Sequence, residues 1–265
     1  MTPRIYGWRP QLADNRDRLF TPPPSPTGLP ALVDLRPSCP PVYDQGQIGS
    51  CTANAIAGAL QFTRRKEGRT PDFNPSRLFI YYGERNIEHT VHSDAGAIIR
   101  DGIKVVNQLG APPETEWPYD GTPADPATGT FPPHAHAATK PSAKAFKDAL
   151  NYQATSYLAI PGNNVDQMRA CLAAGFPFVF GFVVYDSFES QAVAANGMVP
   201  MPKNGEKQLG GHAVCAVGYD DHAKRMIVRN SWGPGWGDKG YFHMPYDYFA
   251  DPGLSSDFWT LRVVE

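Results

Sequence analysis

Proline placement limits what this chain can fold into. Residues 21–41 hold Pro22, Pro23, Pro24, Pro26, Pro30, Pro37, Pro40 and Pro41. The pyrrolidine ring fixes φ and removes the amide hydrogen, so this stretch cannot be helical and reads as extended backbone. A second cluster, Pro112 to Pro141, is filled out with Gly, Thr, Ala and the pair His134 and His136, and reads as a long loop between lobes. Regular structure is therefore expected between the two clusters and after them.

Between them the signals are helical. After Ser50, the apolar positions Ala53, Ile56, Ala59, Leu60 and Phe62 recur at three-and-four spacing, and Gly68 can stop the run. Further helices fit Ser76 to about Ile87 and Ala97 to Leu109, with Gly110 as a C-terminal stop. After residue 150 one short helix, Val165 to Ala174, is capped by Asn164. Strands then dominate: Phe178–Tyr185, His212–Tyr219, Met226–Asn230, Gly240–Met244 and Phe258–Val264, each a run of β-branched and aromatic residues bounded by turn formers. A helical half followed by a strand-rich half predicts an α+β chain of two lobes with a cleft between them.

Bulk properties exclude several functions. With 265 residues, a net charge of −2 and no run of Lys or Arg, the chain lacks the basic stripe expected of a nucleic-acid or anionic-membrane binder. No apolar stretch approaches the roughly 18 residues that span a bilayer, and the first twenty residues are too polar for a secretory signal, so a cytoplasmic location is expected. The four cysteines, Cys39, Cys51, Cys171 and Cys215, are too sparse for a disulfide scaffold. His134 and His136 have metal-binding spacing but no third ligand nearby, and no cofactor or metal is expected.

Three segments carry chemistry. In Gln45–Ala55 a thiol, Cys51, sits where a loop turns into a helix, and the positive end of the helix dipole favours its thiolate. In Leu209–Asp220, His212 opens an apolar strand directly after Gly210 and Gly211, which leave room for another backbone to approach. In Arg229–Phe242, Asn230 ends a strand and its carboxamide can orient an imidazole. Each alone has an ordinary structural explanation: a buried thiol, a core histidine, a turn asparagine.

In this order the three segments resemble the papain-like (C1) cysteine peptidases, whose pattern is a Gln, a Gly-Ser-Cys opening a helix, a Gly-His strand and an Asn-Ser-Trp-Gly loop. The resemblance covers about residues 32–265, including AspLeuArgPro at 34–37 and GluTrpProTyrAspGly at 116–121. It implies the papain-like two-lobed fold, a helical N-terminal lobe (about 45–120) and an antiparallel β-barrel-like C-terminal lobe (about 150–265). It also implies a site: Cys51 as nucleophile, His212 as base and then acid, Asn230 orienting His212, and Gln45 with the Cys51 amide binding the oxyanion. Trp232 would shield the His212–Asn230 bond, and Gly96, Gly211 and Trp232 are candidate substrate contacts. His212 lies 161 positions after Cys51, beyond the roughly 130–150 usual for the family, so insertions are expected, the loop 196–208 among them. Ile48 and Thr52 stand where the family usually has a cysteine and an aromatic residue.

The family is typically made with a long folded propeptide, whereas 33 residues precede Asp34 here. Residues 1–30 are expected to form an extended segment along the cleft, an intramolecular inhibitor anchored by Tyr6, Trp8, Leu12 and Phe20, with residues 31–265 forming the peptidase domain. The alternative for this stretch is a disordered tail. The resemblance thus implies a monomeric endopeptidase acting on peptides or proteins. Alternatives are an amide or isopeptide hydrolase, a transpeptidase, or a silent peptide-binding module.

Overall fold

The computed structural model describes residues 4–24 and 28–263. Pro26 of the first proline cluster and Val264 of the last expected strand fall outside these residues. In chain order the elements are β1 (Leu32–Asp34), α1 (Cys51–Lys66), α2 (Arg77–Ile87), α3 (Ile99–Gln108), α4 (Ala143–Ala149) and β2 (Ser156–Ala159). They continue with α5 (Val165–Ala173), β3 (Phe178–Tyr185), α6 (Gln191–Asn196), β4 (Gln208–Asp220), β5 (Arg225–Arg229), β6 (Tyr241–Pro245), α7 (Tyr246–Ala250) and β7 (Ser255–Arg262).

Local chemistry explains most boundaries. The Ser76 side chain accepts from Phe79 N to start α2, and the Asn164 side chain accepts from Gln167 N to start α5. Ser50 precedes α1 without any side-chain cap. α1 also departs from the single apolar face its spacing implies, because every residue from Cys51 to Arg64 is buried. Its polar members are covered too, as when Gln61 accepts from the Tyr43 hydroxyl at 2.6 Å.

The strands form one antiparallel sheet in the order β2-β7-β3-β4-β5-β6, with β1 on β4. The path is open, so the expected barrel-like lobe is a twisted sheet that does not close on itself. Strands β1 and β2 are short additions that the hydrophobic pattern did not reveal; both pair through backbone and expose part of every side chain. The loop around Pro112–Pro141 does not simply link lobes. Its Ala124, Phe131, Ala135 and Ala137 are buried in the same core as α1 and α2.

That core runs from the helices into the sheet, through Ala213 and Cys215 of β4, Ile227 of β5 and Trp259 of β7. A second core, rich in Phe178, Phe180, Phe182, Phe242 and Phe249, lies on the sheet's other face. Buried Arg229 joins the halves: its Nη1 and Nη2 donate to the carbonyls of Pro40 and Pro41, at 2.6 Å each, and its guanidinium lies over the Tyr43 ring. Prolines donate no backbone hydrogen bonds, so this segment relies on such side chains to satisfy its carbonyls. Arg229→Met strands two carbonyls and is expected to cost ~3 kcal/mol of stability, read as a lower midpoint in urea unfolding.

Candidate active site

The end of β5, the start of β4 and the N-terminus of α1 converge. Cys51 opens α1, and the backbone N–H of Ala213, the residue after His212, faces its sulfur. His212 lies in β4 opposite Phe182 of β3, whose ring meets the imidazole edge-on at 5.7 Å between centroids. Asn230 directly follows β5. Its Oδ1 lies 2.8 Å from His212 Nε2 and also accepts from Ser231 N at 2.9 Å. Two donors on one atom identify it as the carbonyl oxygen, so Nε2 carries the hydrogen and Nδ1 is the basic nitrogen. His212 Nδ1 is buried and has no hydrogen-bond partner. The Trp232 indole stacks on the imidazole, with centroids 5.0 Å apart and planes at 27°. It thus covers the ring that Asn230 orients.

Gln45 is tied to the loop carrying Asn230. Its backbone N donates to Ser231 O at 2.9 Å, and its Oε1 accepts from Ser231 Oγ at 2.6 Å. Its Nε2 donates one hydrogen to Ile48 O at 3.0 Å, which leaves a second hydrogen on that nitrogen. The two departures from the family pattern lie in the helical half. Ile48 is fully buried. Thr52 donates to Glu84 Oε2 at 2.8 Å, and burial pushes the Glu84 carboxyl up to about 8. All four cysteines are unpaired.

The cleft is filled by the chain's own N-terminal segment. Gly7 O accepts from Ala97 N at 2.7 Å, Arg9 N donates to Ala97 O at 3.1 Å, and Trp8 N donates to Gly211 O at 2.9 Å. Residues 7–9 thus run extended between the helical half and β4, with a single parallel bridge from Trp8 to Ala97. Gly7 passes directly over the nucleophile loop: a Cβ there would lie 1.7 Å from Gly49 O. Gly96, φ +66°, has Gly7 O where its own Cβ would be, at 2.0 Å, so the segment approaches backbone to backbone. Tyr6 faces His212 and Trp232 and donates its hydroxyl to Glu189, while Arg4 lies over the Trp232 ring. Beyond the cleft, Phe20 is buried and its backbone N donates to Ala159 O. Leu12 does not serve as an anchor. Its side chain is 88% exposed, and the segment is held there by Leu12 O accepting from Arg100 instead.

This cover sets the electrostatics. Cys51 and His212 are both completely buried. Burial pushes the Cys51 thiol up to about 12 and draws the His212 imidazole down to about 4, so both groups are neutral over the whole range between. Sequence reasoning located Cys51, His212, Asn230, Gln45, Gly96, Gly211 and Trp232, and the fold gathers all seven around one cleft. Asp257, Gly181 and Ala97, which carry no motif, also meet the segment in the cleft, through the β7–β3–β4 pairing and the approach of the segment.

A family model for papain family cysteine proteases matches residues 29–258. A peptidase C1-like protein of Acanthamoeba polyphaga mimivirus is 42% identical over 251 residues, covering 90% of this chain and 76% of that one. Cysteine proteinase 2 of Entamoeba histolytica is 28% identical over 210 residues, 77% of this chain and 59% of that protein's length. Among solved structures, xylellain, a cysteine protease from Xylella fastidiosa, is 49% identical with a TM-score of 0.92, covering 100% and 99% of the two chains. A digestive procathepsin L from Tenebrio molitor shares the fold at 19% identity, with a TM-score of 0.69 and coverage of 93% and 74%. The match over most of its length and the ordered cysteine, histidine and asparagine segments establish that this chain belongs to the papain family of cysteine proteases.

Proposed function

We propose that this chain hydrolyses peptide bonds at Cys51 and that residues 4–20 restrain it by lying in its cleft. The observation that carries the first part is His212, held through Nε2 by Asn230 with Nδ1 left unpartnered, one residue before the Ala213 amide that faces the Cys51 sulfur. In the open cleft Cys51 gives its proton to Nδ1, and the thiolate adds to the scissile carbonyl carbon. The developing oxyanion takes hydrogen bonds from the Cys51 amide and the spare hydrogen of Gln45 Nε2. The imidazolium passes its proton to the departing amine, leaving a thioester. Water then gives a proton to His212 and attacks the thioester, and the carboxylic acid leaves as Cys51 regains its hydrogen. Gln45→Ala is expected to lower kcat about 10²–10³-fold with an unchanged far-UV spectrum, and Cys51→Ala to abolish turnover and labelling by an epoxysuccinyl peptide. Full activity in either variant overturns these roles.

The observation behind the restraint is Gly7 against Gly49 O, with Cys51 and His212 sealed beneath. A neutral thiol and a neutral imidazole are the unreactive form of the pair, and burial favours that form. Removing the segment rehydrates both groups, which lowers the thiol and raises the imidazole toward an ion pair. Gly7→Ala cannot follow the same track, because its methyl overlaps a carbonyl oxygen. It is expected to raise the rate of Cys51 alkylation by iodoacetamide about tenfold or more. An ionisation step should also appear in its rate–pH profile between about pH 5 and 9, a window in which the wild-type chain shows none. Equal alkylation rates for Gly7→Ala and wild type sink the restraint while leaving the catalytic assignment intact.

A further inference from the structure

One peptide unit beside the nucleophile is held at both ends. The Ile48 carbonyl accepts from Gln45 Nε2 at 3.0 Å. The Gly49 N–H of the same peptide donates to the Asp94 carboxyl, with Gly49 N 3.0 Å from Oδ1 and 2.9 Å from Oδ2. A peptide unit is planar, so fixing its N–H fixes the direction of its carbonyl. Asp94 therefore reaches Gln45 through a rigid link. The approach is close: a Cβ at Gly49 would sit 3.1 Å from Asp94 Oδ1. Other bonds hold the ends of this loop, the Tyr119 hydroxyl donating to Gln45 O at 2.8 Å and Asn54 Nδ2 to Ser50 O at 2.9 Å. Asp94 holds its middle.

Asp94 is itself held from α2. The Tyr81 hydroxyl donates to its Oδ1 at 2.5 Å, and Tyr81 is fully buried. One turn further along α2, the Arg85 guanidinium lies 3.9 Å from the centre of the Tyr81 ring. It donates to the carbonyls of Val91, Ser93 and Ala137. The backbone at residue 94 is fixed as well, since Asp94 N donates to Gly129 O at 2.8 Å. Three residues on, Ala97 presents the N–H and carbonyl that pair with the segment in the cleft. Asp94 thus joins the backbone that grips a peptide to the loop that carries Cys51.

We propose that Asp94 is a positioning residue for the oxyanion site: it fixes the Ile48–Gly49 peptide so that Gln45 Nε2 gives one hydrogen to Ile48 O and aims the other at the developing charge. The role rests on Gln45 binding the oxyanion. Without the Asp94 acceptor, the Gly49 N–H turns toward water, the peptide plane turns with it, and Ile48 O swings off Gln45. The carboxamide keeps Ser231 Oγ on its Oε1 but loses the partner that sets its tilt. An oxyanion donor acts through direction, because a hydrogen bond weakens steeply as it bends. Asp94 thus reaches the reaction through Gln45, with no contact to the reacting atoms.

The test is a double-mutant cycle in the full-length Gly7→Ala chain, read as kcat for a fluorogenic peptide and as the rate of Cys51 alkylation by iodoacetamide. Asp94→Ala is expected to lower kcat about tenfold when Gln45 is present, and by less than about twofold in Gln45→Ala. Alkylation is a displacement that forms no oxyanion, and its rate should change less than about twofold. Asp94→Asn, whose carboxamide oxygen still accepts from Gly49 N, should recover most of the lost kcat. Tyr81→Phe keeps the ring and removes the hydroxyl that holds Oδ1; it takes the place of Asp94→Ala in the same cycle if that variant does not fold. Equal losses with and without Gln45, an unchanged kcat, or an equal fall in alkylation overturn the proposal. Full activity in Gln45→Ala overturns the oxyanion reading beneath it. A kcat that needs Gln45, with an additive cycle, removes only the role of Asp94.

Discussion

The structure depends on covering α1. A helix buried on every side from Cys51 to Arg64 cannot rest on a single partner. α2 and α3 cover it from one direction, and β4 and β7 from the other. Those partners cannot follow the helix past its first residue, because the chain enters there through the loop at Gln45–Ser50. The two halves therefore part at the N-terminus of α1 and leave a cleft with Cys51 at its floor. The position of the thiol and the existence of the cleft have one cause.

The same geometry governs charge. A helix N-terminus favours a thiolate, yet the thiol here is pushed up to about 12 because burial outweighs the backbone N–H groups that face it. The burial comes from a few residues of an extended segment, 6–9, rather than from a folded domain. Such a cover is held by the backbone hydrogen bonds of Gly7, Trp8 and Arg9, the indole of Trp8 and the chain further along at Arg18 and Phe20.

Much of this is legible in the residues. Strand β3 is readable to the residue, Phe178–Tyr185, because a β-branched and aromatic run and its bounding turn formers coincide there. Helices α2 and α5 are readable because Ser76 and Asn164 cap them with their own side chains. β4 runs longer than its apolar core, to Gln208 and Asp220, since backbone pairing continues where hydrophobicity stops. The role expected of Leu12 fails for a different reason: its backbone carbonyl is held by Arg100 while its side chain is left on the solvent side.

The chemistry is therefore written locally: a thiol at a helix start, a histidine opening a glycine-led strand, and an asparagine closing the next one. Adjacent residues, with their capping and pairing preferences, are enough to specify each of these. That Asp257, Gly181 and Ala97 border the same cleft, and that Gly7 and Trp8 fill it, follows from the three-dimensional arrangement alone. Those residues are separated by up to 250 positions of chain (7 to 257). Their meeting depends on sheet register and the absence of two Cβ atoms, neither of which has a local signature.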